Sequence, residues 1–420
     1  MKIAIFTDAY IDATGGIPNA IRAQADELER QGHIVKIFCP GQASVDSRVV
    51  LIATHKELRI AGSPVAKRPE VVETEILKQF PDFGKEYDII HVHWEASCSL
   101  AGMRLAKRFR IPLVVTMHGR EDIGLTAYIP RGLRSLVAWM ITTAQKRYIP
   151  YIVKISRDDY LAKNYMQRKM WEMMVNQANF ADVVITPSEH FRKKLEHYGV
   201  KRKIVAIPTG VADEVIEKIK AEKKKSRGEL RILWNSRISP EKRIMALLLA
   251  LKEMKEKYFL GVFGDGGDKQ QAEKFVAENG INAEFYGGVE YDEMIDKMRD
   301  YDVVAMMSYD YDTQGLTIDE AEVMGMPVVL VDKNLTENLP EGGYVLVGEF
   351  NKGKESGDFC RGRKPASETE VAAALDELAK NPEKVAKMRE VLLKHRDEVR
   401  ESRRIKRMIG VYRELIEKSP

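Results

Sequence analysis

Short apolar runs alternate with longer amphipathic stretches along the whole chain. Runs of four or five apolar residues between polar turns are typical of buried strands, and the stretches between them have helical periodicity. Strands that alternate with helices predict layers of parallel α/β structure. The predicted strands are 3–7, 34–39, 89–92, 113–117, 183–186 and 204–207 in the first half, and 231–235, 260–263, 283–286, 303–307 and 328–331 in the second.

A charged stretch, VIEKIKAEKKKSR at residues 215–227, separates the two sets of strands. The chain has 420 residues, which is more than one hydrophobic core commonly serves. We therefore predict two doubly wound, Rossmann-like parallel-sheet domains, at residues 1–209 and 210–395. Residues 396–420 are predicted to form a strongly charged final helix.

Composition indicates an ordinary soluble protein, with 44% hydrophobic and 31% charged residues. Cys39, Cys98 and Cys360 are too far apart for a metal motif, and their odd number argues against a disulfide framework, so we expect a reducing compartment. The first residues, MKIAIFTDAY, become polar too soon for a signal peptide, and no apolar run approaches the ~20 residues of a spanning helix. We expect a cytoplasmic location, at most on the inner face of the cell membrane.

Positive charge is concentrated in residues 131–170, which hold nine bases against two acids, a net charge of +7 where the whole chain carries +4. Aromatic residues and methionines are interleaved with the bases. Such a segment could bind an anionic bilayer, or it could form solvated helix faces whose aromatics point into the core. Nucleic acid is a third alternative, but we expect none because no recognised nucleic-acid module accompanies the segment.

The most informative segment is 308–329, SYDYDTQGLTIDEAEVMGMPVV. It places Asp312 before a predicted helix, Gly315 and Leu316 at the helix start, and Glu320 about two turns along. The N–H groups of a helix start suit a phosphate or sugar oxygens, and carboxylates accept hydrogen bonds from vicinal hydroxyls. The segment predicts a nucleotide-sugar site. The alternative is a surface loop with Glu320 on a solvated face.

Other polar or glycine-containing junctions follow predicted strands, where ligands of open α/β sheets bind. Arg237 and Lys242 flank Ser-Pro-Glu, a helix-start signal, and two cations there could neutralise a diphosphate. Paired glycines before a helix also allow close approach to a phosphate, although tight turns alone would explain them. The remaining junctions are Gly15-Gly16 before the first helix, His118 after strand 113–117, Gly264 after strand 260–263, and Tyr286-Gly287-Gly288-Val289 after strand 283–286.

Together these motifs resemble the retaining glycosyltransferases of family 4, which have the GT-B fold and an acidic motif with seven residues between two glutamates. This chain has Asp312 as the first acid and Glu320 as the second. The resemblance implies that Glu320 holds the ribose, that Asp312 with the amides near Gly315 and Leu316 holds the donor sugar, and that Arg237 and Lys242 hold the diphosphate and help it to leave.

The resemblance also implies that Gly15 and Gly16 meet the diphosphate, that His118 lies against the donor sugar, that Gly264 lies near the nucleotide and that Val289 borders the base. It further implies that the final helix packs back on the first domain. Two possible metal sites have weaker grounds. His91 and His93 share one strand face but lack a third ligand, and Asp310-Tyr311-Asp312 imitates a motif of the GT-A fold. We therefore predict no metal and no cofactor besides the donor.

The function predicted from sequence is a metal-independent, retaining hexosyltransferase. Its donor would be a nucleotide-diphosphate sugar, by family default a UDP-sugar such as UDP-glucose. FTDAY, HVHW and TMHGRED before the basic segment resemble members that glycosylate diacylglycerol or related membrane lipids, so we predict a lipid acceptor and peripheral contact with anionic membrane through residues 131–170. The alternatives are a soluble small-molecule or saccharide acceptor, an epimerase or hydrolase of the same fold, and a non-catalytic sugar-nucleotide-binding module.

Overall fold

In the computed structural model, two compact units form: Met1–Thr209 with Glu401–Pro420, and Gly210–Arg400. The boundary expected from sequence, between residues 209 and 210, coincides with this division. The structure describes residues 1–13, 15–60, 63–93, 96–124, 129–159, 162, 164–219, 228–348 and 365–418. Cys360 and most of the charged stretch at 215–227 lie outside these residues. Among the helices described, none is long and apolar enough to cross a membrane.

The strands and helices alternate as the hydrophobic pattern predicts. The strands are β1 (Lys2–Thr7), β2 (Ile34–Pro40), β3 (Val49–Ile52), β4 (Thr54–Ile60), β5 (Ser63–Ala66), β6 (Ile89–His93), β7 (Leu113–Thr116), β8 (Val183–Thr186), β9 (Lys203–Ala206), β10 (Leu230–Asn235), β11 (Tyr258–Phe263), β12 (Ala283–Gly287), β13 (Val303–Met306), β14 (Val328–Leu330) and β15 (Tyr344–Leu346). The helices are α1 (Gly16–Arg30), α2 (Pro69–Gln79), α3 (Phe83–Glu86), α4 (Ser97–Phe109), α5 (Glu121–Gly124), α6 (Arg134–Gln145), α7 (Tyr165–Phe180), α8 (Glu189–His197), α9 (Asp213–Lys218), α10 (Ile244–Glu253), α11 (Lys269–Asn279), α12 (Tyr291–Met298), α13 (Leu316–Met324), α14 (Glu368–Lys380), α15 (Pro382–His395) and α16 (Glu401–Lys418).

The first unit contains a parallel sheet with the strand order β3-β2-β1-β6-β7-β8-β9. Successive side chains of a strand point to opposite faces of the sheet. In β1, Ala4 and Phe6 accordingly join one buried cluster, while Ile3 and Ile5 join another. Both faces are apolar because helices cover both, as parallel sheets require. Tyr412 of α16 lies in the second cluster, so the final helix belongs to the first unit.

The second unit contains a parallel sheet with the order β12-β11-β10-β13-β14-β15. Ile232 and Trp234 of β10 face one buried cluster, and Leu233 faces the other. The sheet reverses direction of winding at β10, which pairs with β11 on one side and β13 on the other. Ligands of open α/β sheets bind at such a switch point, beyond the carboxyl ends of the strands.

Three helix boundaries differ from the predictions. The final helix starts at Glu401, because Arg396–Val399 form a separate 3-10 turn. The helix-start signal Ser239-Pro240-Glu241 predicts a helix from about Lys242, but residues 239–243 form a turn and α10 begins only at Ile244. Glu320 is the fifth residue of α13, so it lies just over one turn along the helix and not two.

Candidate nucleotide-sugar site

The candidate site in the second unit lies after β10 and β13, the two strands that flank the switch point. These strands pair side by side, with Ile232 opposite Val303 and Leu233 opposite Val304. The segment after β10 carries Arg237 and Lys242, and the segment after β13 carries Asp312. Parallel pairing therefore brings together residues that are far apart in sequence.

Lys242 and Asp312 form an ion pair, with 2.6 Å between Nζ and Oδ1. Both side chains are largely buried, at 14% and 9% exposure. Arg237 is more accessible, at 43%, and donates to the hydroxyl of Tyr311 at 3.3 Å. Tyr311 also lies beneath Lys242, whose Nζ is 5.4 Å from the ring centroid. One cation is thus held against the acid, and the other reaches solvent.

Glu320 lies on the first turns of α13 and is partly exposed. The side-chain amide of Asn235, the last residue of β10, donates to its Oε2 at 3.3 Å, and Thr317 Oγ1 donates to the backbone carbonyl of Asn235 at 2.9 Å. Desolvation of the carboxylate by the surrounding protein, and secondarily the negative charge of Asp319, raise the pKa of Glu320 from 4.5 to about 7. The carboxyl therefore changes its charge near neutral pH, which is common at functional sites.

The start of α13 has no side-chain cap, so the first N–H groups of the helix are not satisfied in the usual way. Gly315 stands at the cap position, where a Cβ would come within 2.9–3.1 Å of Ile318 and Met306. Leu316 is the first residue of the helix. Free amides and the positive end of the helix dipole can bind an anion or polarised hydroxyl oxygens, as predicted for this segment.

Gly264 supports the segment that carries Arg237. Its backbone has φ of +132°, and a Cβ there would lie 2.2 Å from the carbonyl oxygen of Ser236. Gly266, with φ of +158°, meets the carbonyl of Ile238 as closely. Only glycine allows two backbones to approach in this way. Gly264 also donates its N–H to the carbonyl of Gly287 at 2.8 Å, which joins this turn to the segment before Val289.

Val289 is partly buried and packs against the core cluster of the second unit that contains Phe263 and Ile318. Two residues after Val289, Tyr291 begins α12. Burial and the charge of Glu320 raise the pKa of the Tyr291 phenol, so this phenol stays protonated at neutral pH. Asn235 and Tyr291 were not singled out from the sequence. An asparagine at a strand end and a tyrosine after a turn carry no signal until the sheet order is known.

The remaining predicted site residues lie in the first unit. Gly15 and Gly16 are exposed at the start of α1, and no side chain caps that helix. His118 follows β7 and contacts His93 of β6, with 2.7 Å between Nε2 of His118 and Nδ1 of His93. Burial lowers the pKa of His118 to about 4. His91 and His93 lie inside the unit and not at its surface, and no group of three metal-ligating side chains occurs among the described residues.

The predicted lipid segment divides into two parts. Met166, Met170 and Trp171 of α7 are buried in the core. In α6 and in the 3-10 turn Arg131–Leu133 before it, four large apolar side chains are each at least half exposed: Leu133, Leu136, Trp139 and Met140. In α7 the large apolar side chains therefore point into the core, which is the second of the alternatives predicted for this segment. In α6, an exposed apolar face lies beside the bases of the segment.

Comparison with known proteins agrees with this architecture. Residues 14–215 match the family described as Glycosyltransferase Family 4, and residues 215–343 match Glycosyl transferases group 1. The alpha-monoglucosyldiacylglycerol synthase of Streptococcus pneumoniae is 30% identical over 362 residues, which cover 81% of this chain and 73% of that protein. The chain belongs to the family 4-type glycosyltransferases.

This glycosyltransferase is also similar to the alpha-monoglucosyldiacylglycerol synthase of Acholeplasma laidlawii, with 24% identity over 84% of this chain and 86% of that protein. Anabaena HepE, solved in complex with UDP-glucose, has the same fold, with a TM-score of 0.64, 16% identity and 98% of both chains covered. The predicted family and the GT-B class, two parallel-sheet α/β domains, are confirmed. The protein is a glycosyltransferase, and two of the proteins that it resembles are named for the synthesis of a glucosylated diacylglycerol.

Proposed function

We propose that this glycosyltransferase moves a hexose from a UDP-sugar to the hydroxyl of a diacylglycerol-type membrane lipid, with retention of the anomeric configuration. The observation that carries the donor half is the grouping of Arg237, Lys242 and Asp312 beyond β10 and β13, with Glu320 tied to the same strand end by Asn235. The two synthases named above support the lipid half.

The side chains of the second unit divide into those that bind and those that assist departure. Glu320 accepts hydrogen bonds from the ribose hydroxyls, and Asp312 with the uncapped amides of α13 holds the sugar. Lys242 and Arg237 stabilise the negative charge that grows on the diphosphate as the bond from the anomeric carbon to phosphate breaks. Since two cations meet this charge, the proposed reaction uses no metal and no cofactor besides the donor.

The acceptor oxygen forms its bond to the anomeric carbon on the face from which the diphosphate departs. The proton of the acceptor hydroxyl passes to the departing phosphate oxygen, so no side-chain base is required. His118 lies against the donor sugar in this proposal, and Gly15 and Gly16 allow the chain before α1 to approach the diphosphate. Gly264 and Val289 shape the surface beside the nucleotide.

A panel of UDP-, GDP- and ADP-sugars tests the donor by thermal shift, with and without EDTA. We expect UDP-sugars to raise the melting temperature equally in both conditions, and Glu320→Ala to abolish the effect. Stabilisation by GDP-sugars and not by UDP-sugars would show that the donor carries guanine in place of uracil. A lack of stabilisation by every nucleotide sugar would contradict the donor proposal.

Access to a lipid acceptor is supported by α6. Leu136, Trp139 and Met140 follow the i, i+3, i+4 spacing of one helix face, and they remain about half exposed. Exposed bases, including Arg131, Lys146 and Arg147, accompany this face. An apolar face with adjacent bases can bind an anionic bilayer through both burial and charge. We propose that the protein associates with the inner membrane face through this surface of residues 131–170.

Co-sedimentation with vesicles tests the membrane proposal. The double variant Leu136→Glu/Trp139→Glu should lose binding to vesicles that contain anionic lipid, while Leu249→Glu, a change at an exposed leucine of α10 in the other unit, should not. Equal binding of all three proteins, or no binding of the parent, would contradict the role of this surface.

A further inference from the structure

Three histidines form a contiguous row in the first unit. The rings of His91 and His93, neighbours on one face of β6, have centroids 4.2 Å apart. The rings of His93 and His118 have centroids 5.0 Å apart and planes inclined by 24°, and Nδ1 of His93 lies 2.7 Å from Nε2 of His118, so the two rings meet edge to edge. His91 and His93 are buried, at 0% and 1% exposure. The rings of His91 and His93 are therefore shielded from bulk water, so any hydrogen bond to their nitrogens comes from a protein group.

The partners of His91 determine its tautomer. Its Nδ1 lies 3.1 Å from the amide nitrogen of Gln24, which can only donate, and 2.6 Å from the hydroxyl of Tyr412. Nδ1 is therefore an acceptor. The proton must then be on Nε2, which lies 2.6 Å from Thr116 Oγ1 and donates to it.

His93 has only one partnered nitrogen among the described residues. Its Nε2 is buried without a hydrogen-bond partner. If Nε2 carried the proton, a buried N–H donor would be left unsatisfied, which costs about 1–3 kcal/mol and is rare in folded proteins. The proton is better placed on Nδ1, where it is donated to Nε2 of His118.

We propose that His93 is a positioning residue, which donates its Nδ1–H to Nε2 of His118 and thereby fixes His118 as the neutral tautomer with its proton on Nδ1. An imidazolium at His118 would bring two N–H donors together across 2.7 Å. Its functional consequence rests on the proposed function, in which His118 lies against the donor sugar. The fixed tautomer determines which ring nitrogen of His118 carries the proton, and the neutral ring does not act as a proton donor at neutral pH.

The surroundings favour neutral rings throughout the row. Burial lowers the pKa of His91 to about 3, that of His118 to about 4, and that of His93 well below its usual value. A hydrogen bond between neutral rings is sensitive to tautomer, because each contact needs one donor and one acceptor.

Long-range ¹H–¹⁵N NMR of the histidine rings in the full, ligand-free protein tests the proposal without any substrate. We expect the Nδ1–H tautomer at His93 and His118 and the Nε2–H tautomer at His91, which is an internal reference. Signals would be assigned by single substitution. Finding the proton of His118 on Nε2 in the parent protein would overturn the proposal, whatever the variants do.

Two variants separate positioning from packing. His93→Asn can keep an N–H donor near the place of Nδ1, and His93→Phe keeps the ring but removes the donor. We expect His93→Asn to preserve the His118 tautomer, and His93→Phe to mix the two tautomers and lower kcat/KM about tenfold, the effect of one neutral hydrogen bond. Equal tautomer populations in the parent and His93→Phe would overturn the proposal.

Failure of the His93 proposal can be distinguished from failure of the proposed function. If the protein binds no nucleotide sugar, the donor proposal fails, while the ring spectra still decide the tautomers. If transfer activity is found but His118 has its proton on Nε2, only the role of His93 fails. If His93→Phe does not fold, the parent spectrum alone gives the answer.

Discussion

Replacing Glu320 with glutamine should stabilise the ligand-free protein at alkaline pH. Because the folded-state pKa of Glu320 is raised, folding favours its protonated form. Its contribution to stability is fully present below pH 4.5 and is lost as the pH rises through about 7. At 1.36 kcal/mol for each pH unit, a rise from 4.5 to about 7 corresponds to about 3 kcal/mol. Glutamine carries no charge and avoids this cost.

The difference should therefore depend on pH. We expect Glu320→Gln to exceed the parent by about 3 kcal/mol at pH 8 and by about 1 kcal/mol at pH 5. For a domain of 150–250 residues, 3 kcal/mol is roughly 6–12 °C in melting temperature. Calorimetry at both pH values measures it. Glu293→Gln, at an exposed glutamate of α12, is the control and should change little. An equal effect of Glu320→Gln at both pH values would show that the folded protein does not raise the pKa of Glu320.

Glu320→Gln should also lower the affinity of the protein for the donor nucleotide. If ionised Glu320 accepts hydrogen bonds from the ribose, the affinity of the parent for UDP should rise between pH 6 and pH 8, as the carboxylate becomes populated. Glu320→Gln should bind UDP more weakly and lose this pH dependence. Isothermal titration calorimetry distinguishes the two effects. Tighter UDP binding by the variant at pH 8 would show that Glu320 only destabilises the fold.

Further predictions concern the contacts around the site. Lys242→Ala should lower kcat at least tenfold, and it should lower the free energy of unfolding by about 3 kcal/mol because it leaves the largely buried Asp312 without its 2.6 Å partner. Arg237→Ala removes a more exposed cation, so it should lower activity with a smaller loss of stability. Similar melting temperatures for the two variants would contradict this. Gly264→Ala should cost about 1–3 kcal/mol through its contact with Ser236 and its positive φ, whereas Gly267→Ala, where a Cβ meets nothing within 4 Å, is the control in thermal unfolding. Asn235→Ala should lower the affinity for UDP about fivefold, because it removes the side-chain amide that donates to Glu320 and orients it. An unchanged affinity in titration calorimetry would contradict that role.

The hydrophobic pattern was sufficient for the central strands of the two parallel sheets and for the edge strands β9 and β12, but not for the edge strands β3 and β15. All the strands predicted from apolar runs occur in the structure within one or two residues at either end. The sequence did not indicate β3 and β15, which are short edge strands with partly exposed residues, or β4, whose sequence THKELRI is mostly polar. An edge strand buries less surface, so its sequence carries a weaker signal.

Helix starts were predicted less well than strands, because the polar residues typical of a helix start can also form hydrogen bonds within a short turn. Ser239-Pro240-Glu241 has the composition of a helix start, yet the hydroxyl of Ser239 bonds the carboxylate of Glu241 at 2.7 Å and the segment turns. The helix begins only at Ile244, after Arg243 has adopted a left-handed conformation with φ of +63°.

The grouping of the site depends on sheet order, which no local pattern encodes. Asp312 and Glu320 could be proposed from their own segment because eight residues of sequence hold them together. Their partners Lys242 and Asn235 are 70 and 85 residues away, and they arrive only because β10 pairs with β13. The contact of His93 with His118 similarly requires β6 beside β7.

The proposed reaction is retaining transfer of a hexose from a UDP-sugar to a membrane lipid. Its most direct test is incubation of the protein with UDP-glucose and anionic vesicles that contain diacylglycerol, followed by NMR of the lipid product. The α-configured donor should give an α-linked glucosyl lipid, in the presence of EDTA and without added metal. A β-linked product, glucose released only to water, or transfer only to soluble acceptors would contradict the proposed reaction.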